Sequence, residues 1–159
     1  MVFVCGVLTG LNKDAFDSCS GLTSITIGNS VTSIGEWAFN YCSGLTSITI
    51  PDSVTSIGEY AFYGCYGLVS VNISNNVRSL EMGTFKECSR LTNITIGNSL
   101  TTIGSVGASV FYGCSGLTNI TYKGTIAEWK KIKKESSWNT SIPTDCMIHC
   151  TDGDIEISE

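Results

Sequence analysis

The sequence predicts a repeat solenoid: an α/β chain, mostly β, in which 23-residue units stack their strands in parallel and a C-terminal cap closes one end. Two observations carry this. Phe16, Phe39, Phe62 and Phe85 recur every 23 residues, and Phe111 follows after 26. Within each unit a stretch such as residues 22–27 (Leu-Thr-Ser-Ile-Thr-Ile) alternates apolar and polar side chains with period two, as a half-buried strand does. A single unit of this size cannot bury its own apolar face, whereas stacked units can.

The elements follow in order along the unit. The register begins at the N-terminus, where Val2 and Val4 match Ile25 and Ile27, and Leu8 and Leu11 match Val31 and Ile34. The chain therefore starts inside a unit, and five further units follow to residue 122. Leu22, Leu45, Leu68, Leu91 and Leu117 open the strands; Ile25, Ile48, Val71, Ile94 and Ile120 lie inside them. Gly28-Asn29-Ser30 and Pro51-Asp52-Ser53 are turn chemistry. Residues 31–34 form a second, shorter extended piece. Glu36 to Cys42 spaces its apolar residues by three and four, which predicts one helical or 3₁₀ turn. Ser43-Gly44 then closes the coil. Cys19, Cys42, Cys65, Cys88 and Cys114 keep the repeat spacing. Stacked equivalents point the same way, so they read as free core thiols rather than disulfides. Gly83 and Thr84 replace the aromatic-Ala pair of earlier units, and a three-residue insertion falls near 105–109. Both changes lie on the turn side.

Residues 123–159 read as the cap. Thr125-Ile126-Ala127-Glu128 has capping-box spacing and predicts a helix over about 126–134. Its Trp129 and Ile132 would cover the last coil, with Trp138 beside them. The N-terminal end has no such lid. The strand at Val2–Val4 is an open edge there, which implies upstream units or a self-contact.

The run from Ala38 to Glu59 reads Ala-Phe-x-x-Cys-Ser-Gly-Leu-Thr-Ser-Ile-Thr-Ile-Pro-Asp-Ser-Val-Thr-Ser-Ile-Gly-Glu. This pattern, repeated from residue 2 to about 122, resembles the BspA-like family of leucine-rich repeats. The Tyr122–Ile132 segment, followed by Ile148-His149-Cys150-Thr151-Asp152-Gly153, is similar to the closing segment of such proteins. The resemblance implies a leucine-rich-repeat solenoid wound as a right-handed superhelix. It also implies a bacterial cell-surface or secreted protein, with adhesin activity toward host matrix proteins in some members.

Composition narrows the chemistry. The chain is 42% hydrophobic and 14% charged, so it has the apolar residues for a core. A net charge of −5 gives no footing for nucleic acid. Five of the nine basic residues (Lys123, Lys130, Lys131, Lys133, Lys134) share one stretch with Glu128 and Glu135, the pattern of a solvated helix face. No run of 18 apolar residues exists, and the start lacks the basic n-region of a signal peptide. Cys146, His149 and Cys150 form the one metal-like cluster, but three ligands at this spacing do not make a structural zinc site. A cap disulfide or a core thiol at Cys150 is the stronger reading. His149, the sole histidine, has no nucleophile or acid beside it in sequence, and reads as a surface residue. Glu36 and Glu59 recur one unit apart and read as solvated. No cofactor or enzymatic role is expected.

Two surfaces remain as candidate binding sites. The outward strand positions Ser24, Thr26, Ser47, Thr49, Ser70, Asn72, Asn93 and Thr95 form a carpet of hydroxyls and amides, continued by Asn119 and Thr121. The solvation of an exposed sheet explains such residues equally well. Trp37, Tyr60 and Tyr63, with Tyr41, Tyr66 and Tyr112, gather on the turn side; such residues favour protein or glycan contact. The function expected is a protein-interaction module, with a structural spacer and a carbohydrate-binding module as alternatives.

Overall fold

The structure, a computed structural model, describes residues 2–5, 8–105, 107 and 109–158. It is a solenoid of parallel strands. The first coil begins with β1 (Val2–Cys5). The second holds β2 (Ser24–Ile27) and β3 (Ser33–Ile34), and the third β4 (Ser47–Thr49) and β5 (Ser56–Ile57). The fourth holds β6 (Ser70–Asn72) and β7 (Ser79–Leu80), and the fifth β8 (Asn93–Ile96) and β9 (Thr102–Ile103). Then follow β10 (Asn119–Tyr122), α1 (Ile126–Lys131), β11 (Lys133–Lys134), β12 (Met147–Cys150) and β13 (Gly153–Glu156).

The first strands of the coils make the main sheet, ordered β13-β12-β10-β8-β6-β4, with β1 and β2 paired separately. Register follows the repeat: Ile48 stands beside Val71, and Val71 beside Ile94. The short second strands form a second face, in which β3 pairs with β5, and β7, β9 and β11 pair in turn. Between these faces lies a continuous core of equivalent residues. Phe39, Phe62, Phe85 and Phe111 are fully buried and stack nearly parallel, with centroids 5.1, 5.4 and 5.8 Å apart. The 5.8 Å step is the one that spans 26 residues, so the stack continues across the insertion. Val106 and Ala108, inside that insertion, lie outside the described residues.

The laddered cysteines have a role beyond filling space. The Cys65 Sγ donates to the Phe39 carbonyl of the preceding coil at 3.1 Å, and Cys88 donates to Phe62 at 3.1 Å. Cys42 and Cys114 repeat the contact onto Phe16 and Phe85. The position requires a small apolar residue that still carries a donor, which Cys satisfies. Cys19 departs from the expectation of five buried thiols: it is exposed, because no earlier coil among the described residues covers it.

The segment expected as a helical or 3₁₀ turn is neither. From Gly35 to Cys42 the backbone alternates. Ala38, Asn40 and Cys42 donate back three residues, while Trp37, Phe39 and Tyr41 donate forward to Glu59, Ala61 and Tyr63 of the next coil. A helix sends every amide to its own chain, whereas this ribbon gives every second one to its neighbour. The alternation forces left-handed backbone at Trp37 (φ 58), Tyr41 (φ 52) and Tyr60 (φ 55). Apolar spacing alone does not distinguish this ribbon from a helical turn.

The cap continues both faces. β12 adds in parallel to β10, and β13 returns antiparallel along β12 as the final edge. β11 adds to β9. Helix α1 is shorter than the expected 126–134, because Ile132 turns to extended backbone (φ −60, ψ 125) and Lys133–Lys134 leave to pair with Thr102–Ile103. Its capping box is present: the Glu128 amide donates to Thr125 Oγ1 at 3.2 Å, and the Thr125 amide donates to Glu128 Oε2 at 2.8 Å. Asp152 takes the Ile126 amide at 2.8 Å. Trp129 is buried and packs edge-on against Tyr122 and Trp138, and Trp138 meets the last ring of the ladder, Phe111. The Lys134 ammonium sits 4.7 Å above the Trp129 ring and donates to the Trp129 carbonyl at 2.7 Å.

Candidate functional site

The strand face is outward, as the alternation requires. Thr26, Ser47, Thr49, Asn72 and Asn93 are exposed, and Ser24, Ser70 and Thr95 are partly so. The face is not uniform. β2 and β4 do not share a ladder, and the nearest equivalent backbone contact, Thr46 N–H to Thr23 O, is stretched to 3.4 Å. The same contact one coil later, Val69 to Thr46, is 2.8 Å. At the equivalent place after β10, the Lys123 amide donates to Ile96 O at 2.9 Å, whereas Pro51 has no N–H to offer Ile27; Ser74 and Gly97 make no such bond either, although their coils pair normally, so the proline does not by itself explain the gap between β2 and β4. A cleft of about 350 Å³ opens there, lined on its polar side by Ser24, Thr26, Asn29, Ser47 and Thr49 and beside them by Pro51.

Hydrogen bonding differs along the face. Among the described residues, the hydroxyls of Ser24, Thr26, Ser47 and Thr49 and the Asn29 amide make no bond within the chain. Toward the cap, Asn93 and Asn119 turn their amide groups onto Thr92 (2.7 Å) and Thr118 (2.9 Å). Asn119 Oδ1 also meets His149 Nε2 at 3.0 Å, while His149 Nδ1 meets Asp154 Oδ1 at 2.9 Å. His149 is at the surface, as the sequence suggested, with its side chain 37% exposed, but it has partners there. It ties β13 through β12 to β10, since Asp154 stands directly opposite it across the hairpin. The pairing of residues 149 and 154 was unreadable before the hairpin was known. Each ring nitrogen therefore faces a side-chain oxygen, one on β13 and one on β10.

The expected cap disulfide is also corrected. Cys146 and Cys150 are both thiols, the first buried and the second partly exposed. Four residues of extended chain separate their Cα atoms by about 13 Å, about twice what a disulfide spans. Among the described residues, no three His, Cys, Asp or Glu side chains gather as a metal-binding group. Nor, among the described residues, is any helix long and apolar enough to cross a membrane. Glu36 is not simply solvated: it pairs with Lys13 at 3.3 Å and accepts from Trp37 Nε1 at 2.6 Å.

The aromatic residues divide into two sets. Trp37 and Tyr60 stack on each other, centroids 4.2 Å apart and nearly parallel. Tyr60 is covered on its other side by Gly83 (φ 62), where any Cβ would run into the ring. The glycine that departs from the repeat thus makes room for this ring. Tyr60 is a rung of the solenoid, with no face open for a sugar. The second set is accessible. Tyr41, Tyr66 and Tyr112 are 39%, 42% and 44% exposed. Tyr63 joins them edge-on to Tyr41 at 5.2 Å, and Lys86 lies over both Tyr63 and Tyr112 at 6.0 and 5.3 Å. Hydrogen bonding with Tyr41, reinforced by burial, pushes the Tyr63 phenol up to about 12. The band therefore sets phenols around the Lys86 ammonium, with the Glu87 carboxylate near enough to raise Tyr63 and Tyr66, and it runs from the second to the fifth coil. Lys86 was not singled out in the sequence, because only the coil places it between two rings.

Comparison with known proteins agrees with this geometry. The profile of the BspA type leucine rich repeat region matches residues 9–142 in 6 copies. A leucine-rich-repeat protein of T. pallidum superposes with a TM-score of 0.68 at 21% identity, covering 87% of this chain and 73% of its own. One from Eubacterium ventriosum gives 0.65 at 24% identity, covering 97% of this chain and 47% of its own. Both likenesses concern the fold. The comparison with curated proteins gives no match.

Proposed function

The chain belongs to the BspA-type leucine-rich-repeat family, and on that premise we propose that it is a protein-interaction module of the bacterial surface that docks its ligand on the aromatic band. The observation that carries this is the band itself: Tyr41, Tyr66 and Tyr112 exposed together, with Tyr63 and Lys86 between them. Tyrosine gives large contact area with few rotors to freeze, and clusters of this composition dominate binding energy at protein interfaces. A host extracellular-matrix protein is the ligand class proposed. The module acts without chemistry of its own. The strand carpet Ser24, Thr26, Ser47, Thr49, Ser70, Asn72, Asn93 and Thr95 is proposed as a neutral second surface. Trp37, Tyr60 and, in part, Tyr63 hold the band in place.

The test is binding of the folded chain to immobilised fibronectin and fibrinogen, beside a Tyr41→Ser/Tyr66→Ser/Tyr112→Ser variant and a Thr26→Lys/Thr49→Lys/Thr95→Lys variant. Saturable binding lost only in the tyrosine variant supports the band. Loss only in the lysine variant moves the protein site to the strand face. Absence of binding in all three favours a structural spacer. We further propose self-association through the end opposite the cap, where Leu8 is 53% exposed and Phe16 is half-buried. Sedimentation of the chain against a Leu8→Asp variant tests it.

A further inference from the structure

We propose that Tyr41 and Tyr66 are a site of oxidative cross-linking, forming a dityrosine between the second and third coils when the folded chain meets a peroxidase and hydrogen peroxide. The site does not depend on what docks on the band. The two rings are neighbours across coils, with centroids 6.1 Å apart and planes tilted by 41°. Both are open to solvent, at 39% and 42% exposure. Their hydroxyl ends converge, since the Tyr41 phenol adds to burial in raising Tyr66. Phenols couple through the carbons beside the hydroxyl, so rings that meet at that end bring the bonding atoms together. The two rings of a biaryl are skewed, neither coplanar nor perpendicular, and the tilt of this pair is of that kind.

The backbone holds the pair in place. The Tyr41 amide donates to Tyr63 O at 2.8 Å, and the Tyr66 amide donates to Gly64 O at 2.8 Å. Gly64 (φ 66) seats the Tyr41 ring, because a Cβ there would lie 2.6 Å from Tyr41 Cδ1. Holding two reacting groups side by side makes their coupling unimolecular and favours it over encounters between chains. Further rings lead into the pair. Trp37 and Tyr60 stack at 4.2 Å, Tyr63 stands edge-on to both at 5.9 and 6.1 Å, and Tyr41 is edge-on to Tyr63 at 5.2 Å. An electron lost from any of these rings is replaced from the next, so the vacancy passes to the exposed end, where coupling traps it. Tyr63 meets Tyr41 nearly perpendicular, at 76°, which turns an edge to a face and keeps its coupling carbons from those of Tyr41.

The oxidant takes one electron and the phenolic proton from each ring. The two phenoxyl radicals join by a C–C bond between ortho carbons, and the ortho hydrogens move to the oxygens to restore both phenols. The chain loses two hydrogens, and one hydrogen peroxide becomes two waters. Tyr112 separates geometry from exposure: it is 44% exposed, but its ring neighbour is the Lys86 ammonium at 5.3 Å rather than a second phenol.

The experiment treats the dilute folded chain, its accessible thiols alkylated so that they do not quench the radicals, with a peroxidase and hydrogen peroxide. Dityrosine fluorescence is read on the monomer, and its digest is mapped by mass. Cleavage after Glu59 puts the two tyrosines on separate peptides. The expected product is a monomer lighter by two hydrogens in which Tyr41 is joined to Tyr66. It should be lost in Tyr41→Phe and in Tyr66→Phe, which keep the rings, and undiminished in Tyr112→Phe. The proposal is overturned if the monomer gains no dityrosine, if the cross-link maps to other tyrosines, or if Tyr41→Phe or Tyr66→Phe retains the wild-type yield.

Discussion

Replacing Phe62 by Ala probes the ladder at its centre. Phe62 is fully buried, with Phe39 at 5.1 Å on one face and Phe85 at 5.4 Å on the other. Truncating a buried Phe to Ala costs about 3–5 kcal/mol through lost transfer energy and the cavity left behind. Two stacked contacts, each worth about 0.5–1.5 kcal/mol beyond burial, go with it. Neighbours cannot collapse into the gap, because the ribbon backbones on both sides are held by bonds from Phe39 to Ala61 and from Phe62 to Thr84. The expected loss is therefore at the upper end, about 4–5 kcal/mol, a large share of the roughly 5–15 kcal/mol that holds a domain. Urea unfolding followed by circular dichroism and tryptophan fluorescence measures it. With a slope near 2 kcal/mol/M, the midpoint should fall by about 2 M. Thr49→Ala, on the exposed side of β4, should shift stability by no more than about 0.5 kcal/mol. Equal losses from the two variants would refute the assignment of strand faces and of the ladder together.

Alkaline pH should destabilise the chain steeply. Burial raises the Cys42 and Cys114 thiols from 9.0 to about 12 and raises Cys65 and Cys88 as well. Above pH 9 the unfolded chain loses those protons while the folded chain keeps them. The stabilisation is complete below the unfolded value and is lost as pH rises toward the folded one, by about 1.4 kcal/mol per pH unit for each thiol. Urea midpoints between about pH 8 and pH 11 should decline, and Cys65→Ala should lower the slope by one proton; a flat profile would contradict the buried ladder. Alkylation of the native protein should label exposed Cys19 before any ladder thiol, with peptide mass analysis as the readout. Thr125→Ala removes the capping box of α1 and should cost about 1 kcal/mol in the same urea assay. Asp154→Ala removes the carboxylate that holds His149, so amides of β13 should exchange faster while those of β6 stay protected.

The repeat made most of the fold legible before any coordinates. Phenylalanine, leucine and isoleucine at a 23-residue period place one residue of each kind per coil, and parallel stacking is how such units bury them together. The capping box and the tryptophan lid are local patterns and were equally readable. The ribbon was not, because alternating back-bonded and forward-bonded amides need a neighbouring coil to define them. Nor was the true end of α1, since Lys133–Lys134 leave the helix only because β9 offers them an edge. The candidate surfaces were legible as residue types and illegible as sites. Trp37 and Tyr60 read as candidate contact residues on the turn side, yet they spend their faces on each other and on Gly83.

What the sequence determined by itself was therefore everything that depends on period and parity: the parallel stack, the buried ladders and the outward polar carpet. What only the tertiary structure decided was which of these groups meet across coils. His149 gained Asp154 and Asn119, and Lys86 gained its two tyrosines. The physical reason is range. Alternation and repeat spacing act along the chain, whereas a hydrogen bond or a ring contact between coils depends on register and backbone path about 23 residues away, which local pattern does not encode.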